Sequence, residues 1–154
     1  MSIKRFNKMN KSDLVKELES HYHTNSADCI TVTHSRDCVE VFYDLVKYSK
    51  KECVTVLYLD GASSVIHEEV ISRKGFKFDS KGYKKLFRKA IELNSAFFIT
   101  GQKVYSDSYE HNEEDTKQVQ ELKERSQLVG IELLDHVVMF KNGHYSYHGN
   151  GKVL

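Results

Sequence analysis

Proline is absent from this 154-residue sequence, and cysteine occurs only three times. Without proline, the turns depend on Gly, Asn, Asp and Ser. The cysteines Cys29, Cys38 and Cys53 form an odd set without CxxC spacing, which argues against a disulfide framework and a thiolate zinc knuckle. We therefore expect reduced, mostly buried thiols, because free cysteine behaves as a small hydrophobic residue.

Long apolar runs and a large net charge are also missing. No stretch approaches the roughly 20 apolar residues that a membrane-spanning helix needs. The basic segment at residues 1–6 lacks the apolar stretch that follows it in a secretory signal. The formal net charge of +1 gives no global reason to expect binding to nucleic acid or to an anionic membrane. These absences predict a cytoplasmic protein without a membrane partner.

The composition, with 40% hydrophobic and 29% charged residues, is typical of one globular domain. We divide the chain into a basic N-terminal segment with a short helix from Ser12, residues 1–29, and a main domain, residues 30–154. His21 and His23 in the first segment have the HxH spacing of metal ligands. Because residues i and i+2 of a helix point to different sides, we expect both to be surface residues.

Hydrophobic periodicity separates helices from strands along the main domain. It predicts helices over about 35–49, 80–94 and 113–129. Apolar and β-branched runs predict strands at 29–32, 52–60, 65–72, 75–78, 96–100 and 130–140. The predicted inward faces of the helices are Val39, Phe42, Leu45 and Val46, then Tyr83, Phe87, Ala90 and Ile91, then Val119, Leu122, Ser126 and Val129.

Local signals mark the ends of the last helix and the hairpin after it. Asn112 is a good N-cap with Asp115 three residues later, and Gly130 suits the left-handed residue that follows a helix end. The Asn142-Gly143 pair is the strongest short hairpin signal in the chain. The sequence therefore predicts a helix, a buried strand, a tight turn and a returning strand.

A basic stripe is predicted on the helix after Ser80. Its side chains recur at i, i+3, i+4 and i+7, opposite the apolar face: Lys81, Lys84, Lys85 and Arg88. Most such stripes are solvated, but one that is not neutralised binds phosphates or acidic partners. The carboxylates that precede and open the last helix could neutralise it within one molecule or pair with it between two copies.

Three runs resemble one known family. They are residues 56–60, residues 90–96 and, most specifically, residues 130–138, which read Gly-Ile-Glu-Leu-Leu-Asp-His-Val-Val. With the final strand and tail, they resemble the RadC-like branch of the JAB/MPN domains over about residues 30–154. The resemblance implies a single α/β domain with a mixed, curved β-sheet flanked by helices, in a layering similar to that of cytidine deaminases.

The same resemblance implies a zinc-dependent hydrolase site. In that family two histidines spaced HxH and a downstream aspartate bind zinc, an early glutamate moves the proton of the metal-bound water, and a serine holds the reacting oxygen. Counting back without gaps from Asp115, which matches the aspartate, places the histidines at Gln102 and Val104 and the serine at Asn112, while Glu52 matches the glutamate. Valine has no lone pair for a metal, and a glutamine carbonyl is a poor zinc ligand. We therefore expect a pseudoenzyme with no catalytic residue and no zinc.

The acidic loop before the last helix has other interpretations. A rebuilt metal site could use His111 and Asp115, with Glu110 or Asp107 as a further carboxylate and one more histidine, the candidates being His67, His136 and His144. Carboxylates ahead of a helix are more often solvated next to the positive end of its dipole. As exposed groups they are candidate partner contacts: Asp107, Glu110, Glu113 and Glu114.

These patterns favour a non-catalytic module that binds a protein partner. RadC-like domains are common on mobile elements, so a phage or plasmid protein acting on a host factor fits this hypothesis. Nucleic-acid binding by the basic stripe and a repurposed metallohydrolase at His111 and Asp115 are the alternatives. A homo-oligomer built from opposite charges is compatible with each of them.

Overall fold

A computed structural model describes residues 30–72 and 79–152 of the chain. The predicted helix from Ser12, the His21 and His23 pair, Cys29 and the predicted strand at 75–78 lie outside the described residues. The described elements, in chain order, are α1 (Ser35–Val46), β1 (Cys53–Leu59), β2 (Val65–Ser72), α2 (Ser80–Glu92), β3 (Phe97–Lys103), α3 (Glu113–Val129), β4 (Glu132–Phe140) and β5 (Gly143–Ser146).

Five strands form one sheet in the order β2-β1-β3-β4-β5. β3 and β4 are parallel, with α3 as the crossover between them, and the other neighbouring pairs are antiparallel. The predicted mixed sheet with flanking helices is confirmed. The predicted strand at 29–32 is represented among the described residues by one bridge, between Thr31 and Ser64.

Each face of the sheet is covered by helices, which gives two apolar cores. On the first face, Val56 and Tyr58 of β1 pack with residues of α2 and α3 such as Leu86 and Leu122. On the second face, α1 places Phe42 against the sheet. Alternate residues of a strand therefore enter different cores.

The predicted helix faces agree with the structure except at Leu86, Ile91 and Val129. Ile91, expected inside, is 62% exposed, whereas Leu86 is fully buried and was not predicted. Leu86 lies three residues after Tyr83 and shares its face, whereas Ile91 lies about 100° further round the helix than Ala90. Val129, also expected inside, is 40% exposed at the last residue of α3.

Strand β3 continues three residues beyond its predicted end because its pairing with β1 persists to Lys103. Gly101 in this extension allows α1 to pack closely on the sheet. A Cβ atom at Gly101 would lie 2.8 Å from the Phe42 ring and 2.7 Å from the Thr55 hydroxyl oxygen. Weak strand formers therefore join the sheet here because tertiary packing overrides their propensity.

The predicted ends of α3 are confirmed. The Asn112 side chain accepts a hydrogen bond from the Asp115 N–H, and Gly130 has a left-handed φ of 75°. The predicted hairpin is present, but its turn residues are Lys141 and Asn142, one position earlier than the Asn142-Gly143 pair, because Gly143 pairs with Phe140 in the sheet. Among the described residues, every helix is too short or too polar to span a bilayer.

Candidate functional site

One end of the sheet brings three of the predicted site positions together. Gln102, in β3, is paired with Val54 of β1 and Val138 of β4. Val104 follows two residues later, on the same face of the chain, and its N–H donates to Met139. Glu52 is exposed and immediately precedes β1, next to the β1 residue that pairs with Lys103. Strand pairing therefore brings Glu52, Gln102 and Val104 to the same end of the sheet.

The side chains of Gln102 and Val104 lie in an apolar environment. Val104 is partly buried and packs against the first core, as Tyr109 and Tyr145 also do. Gln102 is only 7% exposed, and its Oε1 atom has no hydrogen-bond partner within residues 30–72 and 79–152. A buried amide oxygen that accepts no hydrogen bond lowers the stability of the folded state, so the Gln102 side chain is a polar group with an unsatisfied acceptor.

Asp115 is held by hydrogen bonds from two side chains. The Tyr109 hydroxyl donates to its Oδ2 atom at 2.8 Å, and the Asn112 amide donates to the same oxygen at 2.9 Å. The Tyr109 and Tyr147 hydroxyl oxygens are 2.8 Å apart and share a further hydrogen bond. The carboxylate at the start of α3 is thus connected to the residue that follows β5.

Three rings form what we call the tyrosine cluster: Tyr109, Tyr145 and Tyr147. Tyr145 lies 5.6 Å from Tyr109 and 5.3 Å from Tyr147 between ring centroids, and His111 stacks on Tyr145 at 5.8 Å. Burial raises the pKa of Tyr109, and its hydrogen bonds to Tyr147 and Asp115 raise that pKa further. Tyr109 therefore remains a protonated donor across the physiological pH range.

Sequence reasoning missed the role of Tyr109. The usable signal was an aromatic residue inside an otherwise acidic and polar loop, which indicates a buried anchor. Its contact with Tyr147 could not be identified, since Tyr147 lies 38 residues further along the chain.

The buried histidine on this face packs in the sheet. His136 is 1% exposed, and its Nδ1 atom is 2.8 Å from the Thr100 hydroxyl oxygen. Complete burial lowers the pKa of His136 to about 3, so the imidazole is neutral at physiological pH. His67, another candidate ligand, instead lies 5.8 Å from the Tyr58 ring.

One family model matches this chain over most of its length. A family model of the RadC-like JAB domain matches residues 32–152. This chain belongs to the RadC-like JAB domain family.

Curated relatives agree with this assignment. The chain is 28% identical over 122 residues to a UPF0758 protein of Methanococcoides burtonii. The aligned residues cover 79% of this chain and 53% of the relative. It is 26% identical over 122 residues to a UPF0758 protein of Methanosarcina mazei, covering 79% and 53% of the two chains. A UPF0758 protein of Clostridium perfringens is 23% identical over 126 residues, with 82% and 56% covered. This RadC-like chain spans about half the length of these relatives.

The donor set in this RadC-like domain does not fit the zinc ion that the family implies. Val104 offers only carbon, Gln102 offers an amide, and the Oδ2 atom of Asp115 already accepts two hydrogen bonds. Within the described ranges, no three His, Cys, Asp or Glu side chains group closely enough to hold a metal ion. The proposed metal pair of His111 and Asp115 thus lacks a third such ligand in this part of the chain.

The acidic loop is attached to the hairpin at its first half. Lys141 donates its N–H to Ser106 at 3.0 Å and pairs its ammonium with Asp107 at 3.0 Å. The Asn142 amide donates to the Asp107 carbonyl at 3.0 Å. The other predicted contact carboxylates are exposed, as expected: Glu110, Glu113 and Glu114.

The predicted basic stripe on α2 is partly neutralised. Lys85 pairs with Glu69 of β2 at 3.1 Å, and Arg88 pairs with Glu92 of its own helix at 3.6 Å. The neutralising carboxylates therefore come from β2 and α2, whereas we had considered the acidic loop for this role. Lys81 and Lys84 are exposed.

Proposed function

We propose that this RadC-like JAB domain is a non-catalytic binding module. The observation that carries the proposal is the hydrogen bond from Tyr109 to Asp115, and both Tyr109 and Val104 pack against the first core. At the positions that the resemblance matches to zinc ligands, Val104 is packed, Gln102 is buried and Asp115 accepts hydrogen bonds from protein side chains. We infer that these side chains do not form a site for a metal-activated water.

The energetics support this interpretation. A catalytic zinc site needs three protein ligands and one open coordination position. To ligate a metal through the same oxygen, Asp115 would have to exchange the Tyr109 and Asn112 donors for the ion, and only one other nitrogen or oxygen donor would come from the matched pair, at Gln102. A glutamine carbonyl and one carboxylate do not form the nitrogen-rich site that zinc prefers.

We further propose that the exposed carboxylates around the start of α3 contact a protein partner. Glu110 and Glu113 flank the N-cap residue Asn112 and are both exposed. Acidic groups in this position are stabilised by the helix dipole and complement a basic surface. Within this proposal, we favour a phage or plasmid protein that binds a protein of its host.

Zinc content and hydrolysis test the loss of chemistry. Untagged protein is dialysed with zinc, and its metal content is measured by elemental analysis, together with cleavage of peptide and isopeptide substrates. We expect zinc well below one equivalent and no cleavage. Stoichiometric zinc with cleavage that disappears in Asp115→Asn would refute the proposal.

A designed variant tests whether zinc binding can be restored at the same positions. Combining Gln102→His and Val104→His with Tyr109→Phe supplies two imidazoles and frees Asp115, so zinc affinity should rise above that of the wild type. The histidine pair with Tyr109 intact should gain less, because the tyrosine hydroxyl still competes for the carboxylate. Equal zinc affinity in wild type and in the triple variant, both folded, would show that these positions do not converge.

Charge reversal tests the contact surface. A partner recovered by crosslinking in cells should lose affinity for Glu110→Lys combined with Glu113→Lys. The control is Glu132→Lys, an exposed position at the opposite end of β4, which should retain the partner. Equal loss in both proteins would contradict the proposed surface.

A further inference from the structure

We propose that this chain also binds single-stranded nucleic acid, through a surface at the C-terminal end of α1. The surface consists of two lysine–tyrosine pairs, Lys47 with Tyr48 and Lys103 with Tyr105, and we call it the Lys–Tyr surface. Its two pairs include none of the residues that carry the proposed function. The inference therefore stands or fails independently of it.

The two pairs have the same local geometry. The Lys47 ammonium lies 5.3 Å from the centroid of the Tyr48 ring, and the Lys103 ammonium lies 5.2 Å from that of Tyr105. Both distances are within the range of cation–π attraction. Each pair thus presents one positive charge and one aromatic ring as a unit.

Ser49 joins the two units. Its carbonyl accepts a hydrogen bond from the Tyr105 hydroxyl and another, at 3.3 Å, from the Lys103 ammonium. Lys103 also donates to the Val46 carbonyl at 2.9 Å, so β3 is tied to the last turn of α1. Because Tyr48 precedes Ser49, the two units are neighbours on one rigid surface.

The rings are unusually accessible for large side chains. Tyr48 is 78% exposed and Tyr105 is 55% exposed. An unpaired nucleotide offers one phosphate and one open base face, which complement one ammonium and one ring. Stacking on exposed aromatic rings is tolerant of base identity and is the usual mode by which proteins bind single strands.

A groove continues the surface beside Tyr105. It has a volume of about 380 Å³ and lies between Tyr43 and the ends of β3 and β4, with Val104 and Met139 among its lining residues and Lys141 at its edge. This volume is large enough for an unstacked base. Asp107 also lines the groove and pairs with Lys141, so the apolar lining is the part that fits a base.

The local charge favours a polyanion. Five lysines lie on or next to the surface, against three carboxylates: Lys47, Lys50, Lys51, Lys103 and Lys141, with Asp44, Glu52 and Asp107. Lys50 and Lys51 are exposed directly after Ser49. Lys47 pairs with Asp44 at 3.6 Å and Lys141 pairs with Asp107 at 3.0 Å, so the excess positive charge comes from Lys50 and Lys51. The exposed rings of Tyr48 and Tyr105 distinguish this surface from the predicted basic stripe on α2.

Fluorescence anisotropy with the full chain tests the proposal. The probe is a fluorescein-labelled oligo(dT) of about 15 nucleotides, titrated between about 50 and 300 mM salt. Tyr48→Ala should weaken binding by about five-fold or more, and Tyr48→Phe should retain it. Lys50→Gln with Lys51→Gln should lower the logarithmic salt slope by about 1.4, because two phosphate contacts are removed.

The controls separate this surface from others. Lys81→Gln with Lys84→Gln removes the same charge from α2, and Leu128→Ala truncates an 88% exposed side chain at the end of α3; both should bind the probe as the wild type does. Far-UV circular dichroism checks the folding of each variant. The proposal is overturned by absence of binding at about 50 mM salt, by equal binding of a duplex, or by equal weakening in the α2 variant. Displacement of the DNA by oligoglutamate at equal charge concentration would assign the surface to an acidic peptide and overturn it as well.

Discussion

Replacing Tyr109 by phenylalanine removes one hydroxyl and keeps the ring. In the wild type this hydroxyl donates to Asp115 at 2.8 Å and shares a hydrogen bond with Tyr147 at 2.8 Å. A hydrogen bond to a charged group contributes about 1.5–3 kcal/mol, and one between neutral groups about 1 kcal/mol. Asp115 is only partly buried and retains the Asn112 donor, so water replaces part of the first contribution. We therefore expect a destabilisation of about 2 kcal/mol.

Equilibrium unfolding in urea measures this loss. With a slope of about 2 kcal/mol per molar urea, the midpoint should fall by about 1 M at an unchanged slope. The matched control is Tyr145→Phe, whose ring belongs to the same cluster and whose hydroxyl has no hydrogen-bond partner in the described ranges. This control should change stability by less than about 0.5 kcal/mol. If the two variants have the same midpoint, the Tyr109 hydroxyl does not hold the loop and our account of the site is wrong.

Three further changes test the fold around the site. Asn112→Ala removes the N-cap of α3 and should cost about 1 kcal/mol in urea unfolding; no loss would mean that the cap is dispensable. Gly101→Ala places a Cβ atom 2.7 Å from Thr55 and 2.8 Å from Phe42, so Tm should fall with a loss of about 1–3 kcal/mol, and an unchanged Tm would contradict the close packing of α1. Burial raises the pKa of Asp135 from 3.8, so the folded state favours its protonated form. Relative to Asp135→Asn, the wild type should therefore lose free energy of unfolding as the pH rises above 3.8. Parallel profiles of unfolding free energy against pH for the two proteins would contradict this.

The features that sequence predicted well depend on short-range chemistry. Asn112 and Gly130 were identified as the ends of α3 because capping involves residues within one turn of the helix end. The burial of Phe42 and Leu122 follows from helical periodicity over a single element. The predicted burial of Ile91 was wrong because this residue lies on the last turn of α2, past the edge of the packed face.

The features that sequence did not predict are contacts between distant elements. The Lys85 and Glu69 pair joins α2 to β2, and nothing local to either residue indicates the other. The hydrogen bonds of Tyr109 depend on how the loop crosses the end of the sheet, which in turn depends on strand pairing. Residue patterns identified the carboxylates and lysines correctly but could not show which charges neutralise each other.

Hydrogen bonds to neighbouring elements hold both halves of the loop between β3 and α3. Its first half bonds to the β4–β5 hairpin through Ser106 and Asp107, and its second half bonds to α3 through Tyr109. Glu110 lies between Tyr109 and the N-cap residue Asn112, so it is exposed on a segment that the protein itself orders. A preordered segment loses less conformational entropy when a partner binds, which increases affinity for the same contacts. The contacts that occupy the Asp115 carboxylate are thus also those that prepare the neighbouring surface for binding, and this connection is the physical basis for proposing recognition in place of hydrolysis.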